Sequence, residues 1–303
     1  MMNKKIFIRI LQFLILIFLY TVFFIAGSMA LSGQIPDVES EPGLVAGEMG
    51  LLIMSVINVL IIMGLILSSH RSGWKLMLSL SVAYYGVVTF LTQIETWYFL
   101  SDITVESDLL LRLFIMGLPV AFLFIPLSVW ILGKGRSKSG SEPWQIPDLS
   151  AKEWAWKLTL IAVVYVALYW LAGYYIAWQN PELRAFYGSP GVITPFWEHT
   201  LESFRNEPGL FLFQIMRALL WVLFALPVIW GSKLNTWQTA ILLGLFFSIP
   251  VNVGHILENP LMPHAGVRFS HMIETATSTF IFGVIVAWLL HRKHKSFRDL
   301  FRV

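Results

Sequence analysis

Eight separate apolar runs constrain this chain more than any other feature, each near the twenty or so helical residues needed to cross a hydrocarbon core about 30 Å thick. They cover residues 6–31, 50–69, 76–99, 109–132, 158–178, 210–230, 239–254 and 269–290. The seventh is the shortest and carries Pro250, so its outer end is expected to be broken. Composition agrees. Only 13% of the 303 residues are charged and 57% are hydrophobic, whereas soluble domains carry about 25% charged residues. So little charge cannot cover a globular surface in water, and a lipid-facing surface removes the need. The fold class expected is an all-α integral membrane protein, one polytopic domain of eight transmembrane helices.

The charges between the runs alternate in sign. Lys4, Lys5 and Arg9 precede the first run; Arg71 and Lys75 follow the second; Lys134, Arg136, Lys138, Lys152 and Lys157 follow the fourth; Lys233 follows the sixth; and Arg292, Lys293, Lys295, Arg298 and Arg302 follow the eighth. The intervening loops carry Asp37, Glu39, Glu41 and Glu48, then Asp102, Glu106 and Asp108, then Glu182, Glu198, Glu202 and Glu207. The positive-inside rule then places both termini in the cytoplasm, in a plasma membrane of the bacterial inner-membrane kind. Although the net charge is +3, the basic residues report topology, so membrane lipid is the expected partner and nucleic acid is not. Residues 133–157, rich in Gly, Ser, Pro and Lys, read as a cytoplasmic linker between helices one to four (1–132) and five to eight (158–303). Ser28-Met29-Ala30 resembles a signal cleavage site, but the first apolar run is well beyond the roughly 7–15 residues of a signal core, so a retained helix is expected.

The long outer loop 179–209 contains Thr194-Pro195, read as an N-cap and first helical position. Trp197, Leu201 and Phe204 then recur at helical spacing, which predicts a short helix in the membrane interface between the fifth and sixth spans, an aromatic anchor in preference to a lid.

The chemistry is expected where ionisable groups enter the spans, because a charge at the bilayer centre costs about 2.5–3.5 kcal/mol on the mildest scale and needs a partner. Glu95, Arg217 and Glu274 are such groups, all in the outer half of their spans. Gln93, Gln214, Asn252 and Arg268 lie at similar heights, with His271 three residues before Glu274 and His255 three before Glu258. Three functions compete. In the first, the third, sixth, seventh and eighth spans line an outward-facing pocket for a small or lipid-derived ligand: Arg217 takes an anionic group, Glu95 or Glu274 carries a proton, and transport is the outcome. In the second, His255, Glu258, His271 and Glu274 hold a divalent metal in a membrane-embedded enzyme with Glu95 as general base. In the third the protein is a structural or accessory subunit, and Arg217 pairs with both Glu95 and Glu274 to fix helix packing. A divalent metal is the one cofactor these side chains allow for; bis-histidine haem between His255 and His271 has only their adjacency behind it. The chain has no cysteine, which excludes disulfides, thiolate sites and cysteine nucleophiles. It also has no His-Glu-x-x-His pair and no phosphate-binding glycine loop.

Overall fold

A computed structural model describes residues 4–35, 38–101, 103–136, 149–294, 297 and 299. Each apolar run is helical, and helices satisfy every backbone donor and acceptor within one segment, which a bilayer core demands. The long helices are α1 (Lys4–Leu31), α2 (Gly47–Ser68), α3 (Gly73–Leu100), α4 (Ser107–Ile131) and α5 (Ala151–Ala177). Two short helices follow, α6 (Pro181–Phe186) and α7 (Phe196–Asn206). Then come α8 (Pro208–Gly231), α9 (Thr236–Ile256) and α10 (Ala265–Leu290). The eight long helices are apolar enough to span a membrane, and no strand occurs among the described residues. Asp37, Asp102, Lys138, Lys295, Arg298 and Arg302 of the charge pattern lie outside the described residues.

The turns gather at two ends. At one, His70 N donates to Gly231 O at 2.7 Å, Gly73 N to Lys134 O at 2.7 Å, and Lys157 Nζ to Arg292 O at 2.7 Å. At the other, Leu44 N donates to Ile256 O at 2.9 Å, Thr104 Oγ1 to Leu261 O at 3.0 Å, and Asn180 Nδ2 to Gly266 O at 3.0 Å. The basic loops thus collect at one end and the acidic loops at the other. The acidic end also holds arginines, and some of these donate to backbone carbonyls. Arg112 Nη1 donates to Ala30 O at 3.0 Å, and Arg184 Nη1 to Trp178 O, just past the end of α5, at 2.7 Å.

Packing follows small residues and buried polar contacts. A Cβ added to Gly283 of α10 would stand 2.8 Å from Gly244 Cα of α9, so the two backbones touch where neither has a side chain. Tyr84 of α3 donates to Asn58 Oδ1 of α2 at 2.9 Å, and Thr21 of α1 meets Ser55 Oγ of α2 at 2.8 Å. Against this core α1 is peripheral, its Phe18 two-thirds exposed. α5 packs against both α8 and α10.

Three expectations are revised. Helix α5 begins at Ala151, inside the supposed linker, because Ser150 caps it by accepting from Glu153 N at 3.2 Å. Pro250 does not break α9: the α-helix continues to Asn252 and tightens only over Val253–Ile256. The proline removes one intrahelical donor, while Ser248 Oγ beside it bonds across to Ala276 O at 2.7 Å and ties the segment to α10. Between α5 and α8 the helix predicted on Trp197, Leu201 and Phe204 is present with all three exposed, but Pro195 occupies the cap and helix starts at Phe196. Helix α6, capped by Asn180 accepting from Glu182 N at 2.9 Å, was not foreseen.

Candidate functional site

Two hydrogen-bonded groups occupy the acidic half of the bundle. The first joins α3 to α8. Arg217 lies about 14 Å along α8 from its acidic end, at 1.5 Å per residue. Its Nη1 donates to Glu95 Oε1 at 2.7 Å and its Nη2 to Glu95 Oε2, a bidentate pair. Nη1 also reaches Gln214 Oε1, one turn earlier, at 3.1 Å. The guanidinium carbon stands 5.9 Å from the Tyr165 ring of α5 and 5.7 Å from the Phe213 ring, within cation–π range. Arg217 is 4% exposed and Gln214 fully buried, whereas Glu95 keeps 31% of its side chain exposed. Two polar atoms of this group, Arg217 Nε and Gln214 Nε2, are shut off from solvent with no hydrogen-bond partner among the described residues, as is Gln93 Oε1 elsewhere on α3.

The second group joins α10 to the loop after α6. His271 Nδ1 lies 3.1 Å from Glu274 Oε2, and His271 Nε2 lies 3.0 Å from the Tyr187 hydroxyl. The imidazole is thereby the middle member of a phenol–imidazole–carboxylate chain leading from the loop after α6 to a carboxylate that is 6% exposed. Burial raises the Tyr187 phenol well above the ordinary range, and Glu274 and then Glu95 add to the shift, so the phenol is neutral and holds its proton. The His255 ring stacks 6.5 Å from that of His271.

Helix α5 connects the two groups. Tyr165 and Tyr169 both lie within electrostatic reach of Glu95, Arg217 and Glu274. Four residues further along the same stripe is Gly173, where a Cβ would stand 3.6 Å from Glu274 Oε1. Gly173 opens a wide π-type turn, Gly173–Ala177, a feature common where helices serve a site. Sequence reasoning assigned the site to the third, sixth, seventh and eighth spans and missed the fifth. The available signal was Tyr165, Tyr169 and Gly173 at intervals of four, together with Tyr187, which reads in sequence as one more aromatic of the outer loop.

The other expected residues divide. Glu274 does not share Arg217 with Glu95; its hydrogen-bond partner is His271. Asn252 binds α9 to α10, donating to Ser248 O at 2.7 Å and accepting from Thr275 Oγ1. Arg268 is a staple: Nη1 donates to Met262 O and Pro263 O, and Nη2 to Glu41 O and Pro42 O, each at 2.8 Å. The four proposed metal ligands are not brought together. Glu258 turns away to accept from Ser40 Oγ, and both ring nitrogens of His271 are engaged by Tyr187 and Glu274. Among the described residues no three His, Asp or Glu side chains are grouped as a metal would require. The chain shows no significant match to any protein-family model, curated protein or solved structure with which it was compared.

Proposed function

We propose that this chain is a multi-pass plasma-membrane protein, basic end and both termini in the cytoplasm, whose outward half binds a small or lipid-derived anion together with a proton. The topology rests on the separation of basic from acidic loops. The ligand class rests on one observation: two buried donors, Nε of the Arg217 guanidinium itself and Nε2 of the neighbouring Gln214, have no hydrogen-bond partner among the described residues. An unmet buried polar group costs about 1–3 kcal/mol, and a pair serving only to fix two helices has no use for two such donors. Acceptor oxygens of an anionic or acyl group satisfy both.

The proton follows from charge balance. Glu95 and Arg217 together are neutral. An anion seated on the guanidinium leaves one uncompensated negative charge in low dielectric, and a proton taken up with the anion restores neutrality. Binding therefore takes up a proton, and release returns it. The chain Tyr187–His271–Glu274 supplies groups able to hand a proton inward from the loop. Coupled uptake of an anion with a proton is the transport reaction this chemistry fits best.

Mass spectrometry of small molecules and lipids released from purified protein tests the reading. An anionic species retained by the parent should fall more than tenfold in the charge-balanced double variant Glu95→Gln/Arg217→Met, with thermal stability little changed. The same bound species in both proteins would leave the ion pair as structural glue.

A further inference from the structure

Two grooves on the outer surface of the bundle share one chemical design, and both lie at the basic end, away from the site above. The first, of about 330 Å3, runs along α1, with Lys5 and Arg9 above Ile6, Ile10 and Phe13. The second, of about 390 Å3, lies between α3 and α8, with Arg71 and Lys75 above Leu78 and Val82, and with Trp74 and Pro227 on its walls. In each the cations stand four residues apart in sequence, Lys5 and Arg9 one turn apart on α1, and Arg71 in the turn just before α3 with Lys75 in its first turn; both pairs lie at the end where the basic loops collect, and the apolar positions continue along the span at intervals of three or four.

From the groove between α3 and α8 we infer a binding site for one acidic phospholipid, its phosphate at Arg71 and Lys75 and an acyl chain laid along Leu78, Val82 and Pro227. Charge complementarity selects the headgroup: each Lys or Arg at a membrane surface favours an anionic lipid about fivefold. The apolar trough selects a lipid over a soluble anion, because phosphate alone covers none of Leu78 or Val82. Pro227 contributes to the shape. Inside α8 it has no backbone N–H, and its ring displaces the usual packing against the preceding turn. Trp74, 65% exposed, sits beside the cations where an indole spans apolar and polar layers. The inference is independent of the ligand assigned to Arg217, since no residue is shared.

Trp74 is also a built-in reporter. The full chain is reconstituted in phosphatidylcholine vesicles containing a minor fraction of a lipid with brominated acyl chains, which quench an indole they touch. The Trp74 signal is the difference between parent and Trp74→Phe. Brominated phosphatidylglycerol is expected to half-quench it at a mole fraction at least about fivefold lower than brominated phosphatidylcholine. Lys75→Gln, at an exposed position that leaves the fold intact, should raise that fraction about fivefold, and inorganic phosphate should not shift the curve. Equal quenching by the two lipids, an unaltered curve in Lys75→Gln, or displacement by inorganic phosphate would each overturn the inference.

Discussion

At the basic end Lys157 of α5 gives its ammonium to Glu153 Oε1 at 2.8 Å and to Arg292 O at 2.7 Å, and the same carboxylate oxygen accepts His294 N at 2.7 Å. At the acidic end Arg217 and Glu95 form an equally close pair, yet Arg217 Nε and Gln214 Nε2 beside it stay unmet. Lys157 is fully buried and Glu153 is 5% exposed, whereas Glu95 is nearly one-third exposed. The first cluster is closed and ties the start of α5 to the segment after α10; among the described residues its one buried unmet atom is Nδ1 of His294, whose ring lies against Trp156 and Trp288. The second is left partly open. A buried ion pair by itself therefore says little about function, and the unspent hydrogen-bonding capacity around it says more.

Five substitutions and one change of pH would break or sharpen that contrast. The largest effect is expected from Lys157→Met, which strands a buried carboxylate and should cost about 3–5 kcal/mol, read by thermal unfolding in detergent. A loss under about 1 kcal/mol would mean that the basic-end cluster is not a closed latch. Arg217→Met should cost less, about 2–3 kcal/mol, because Glu95, nearly one-third exposed, is not stranded away from water. Adding Glu95→Gln should restore more than half of that loss, and strictly additive costs would refute the pairing. Tyr187→Phe and Glu274→Gln should each cost about 1 kcal/mol. Their double variant should be non-additive if His271 links them; independent effects would dissolve the chain into two unrelated bonds.

The smallest effect concerns pH. Burial first, then Lys157 and Arg292, hold the His294 imidazole below its ordinary 6.5. The unfolded ring takes a proton near 6.5 while the folded ring resists until lower pH, so this contribution to stability is present above about 6.5 and lost as pH falls. Protease nicking near Arg292 and Lys293 should therefore increase on acidification below about 6.5. A nicking rate independent of pH would show that the segment is held without His294.

The spans were legible because hydropathy is a local property: each helix needs only its own twenty or so residues to announce it. Where local reading failed, side chains did something non-local. Lys152, Glu153 and Lys157 look like linker charges, yet an opposite pair four apart beside an apolar run was a readable sign of helix. Of the site, Glu95 and Arg217 were legible as charges too costly to leave unpaired. The partner of Glu274 was not, since the rotation of α10 about its axis decides whether a carboxylate meets Arg217 or His271, and that angle is written in packing. Arg268 reads as a free cation in sequence, because nothing local reveals that four carbonyls from two loops converge on it.

That convergence has a consequence for how the protein is made. The bond from Arg268 Nη2 to Pro42 O joins positions 226 residues apart. At synthesis rates of about 5–20 residues per second, roughly 11 to 45 s separate the two ends of that bond leaving the ribosome. Throughout that interval the loop between α1 and α2 has been synthesised without its clasp. Closure of the acidic end is thus among the last events of biogenesis, and a nascent chain halted before α10 inserts would carry an unfastened first loop on an otherwise assembled set of helices.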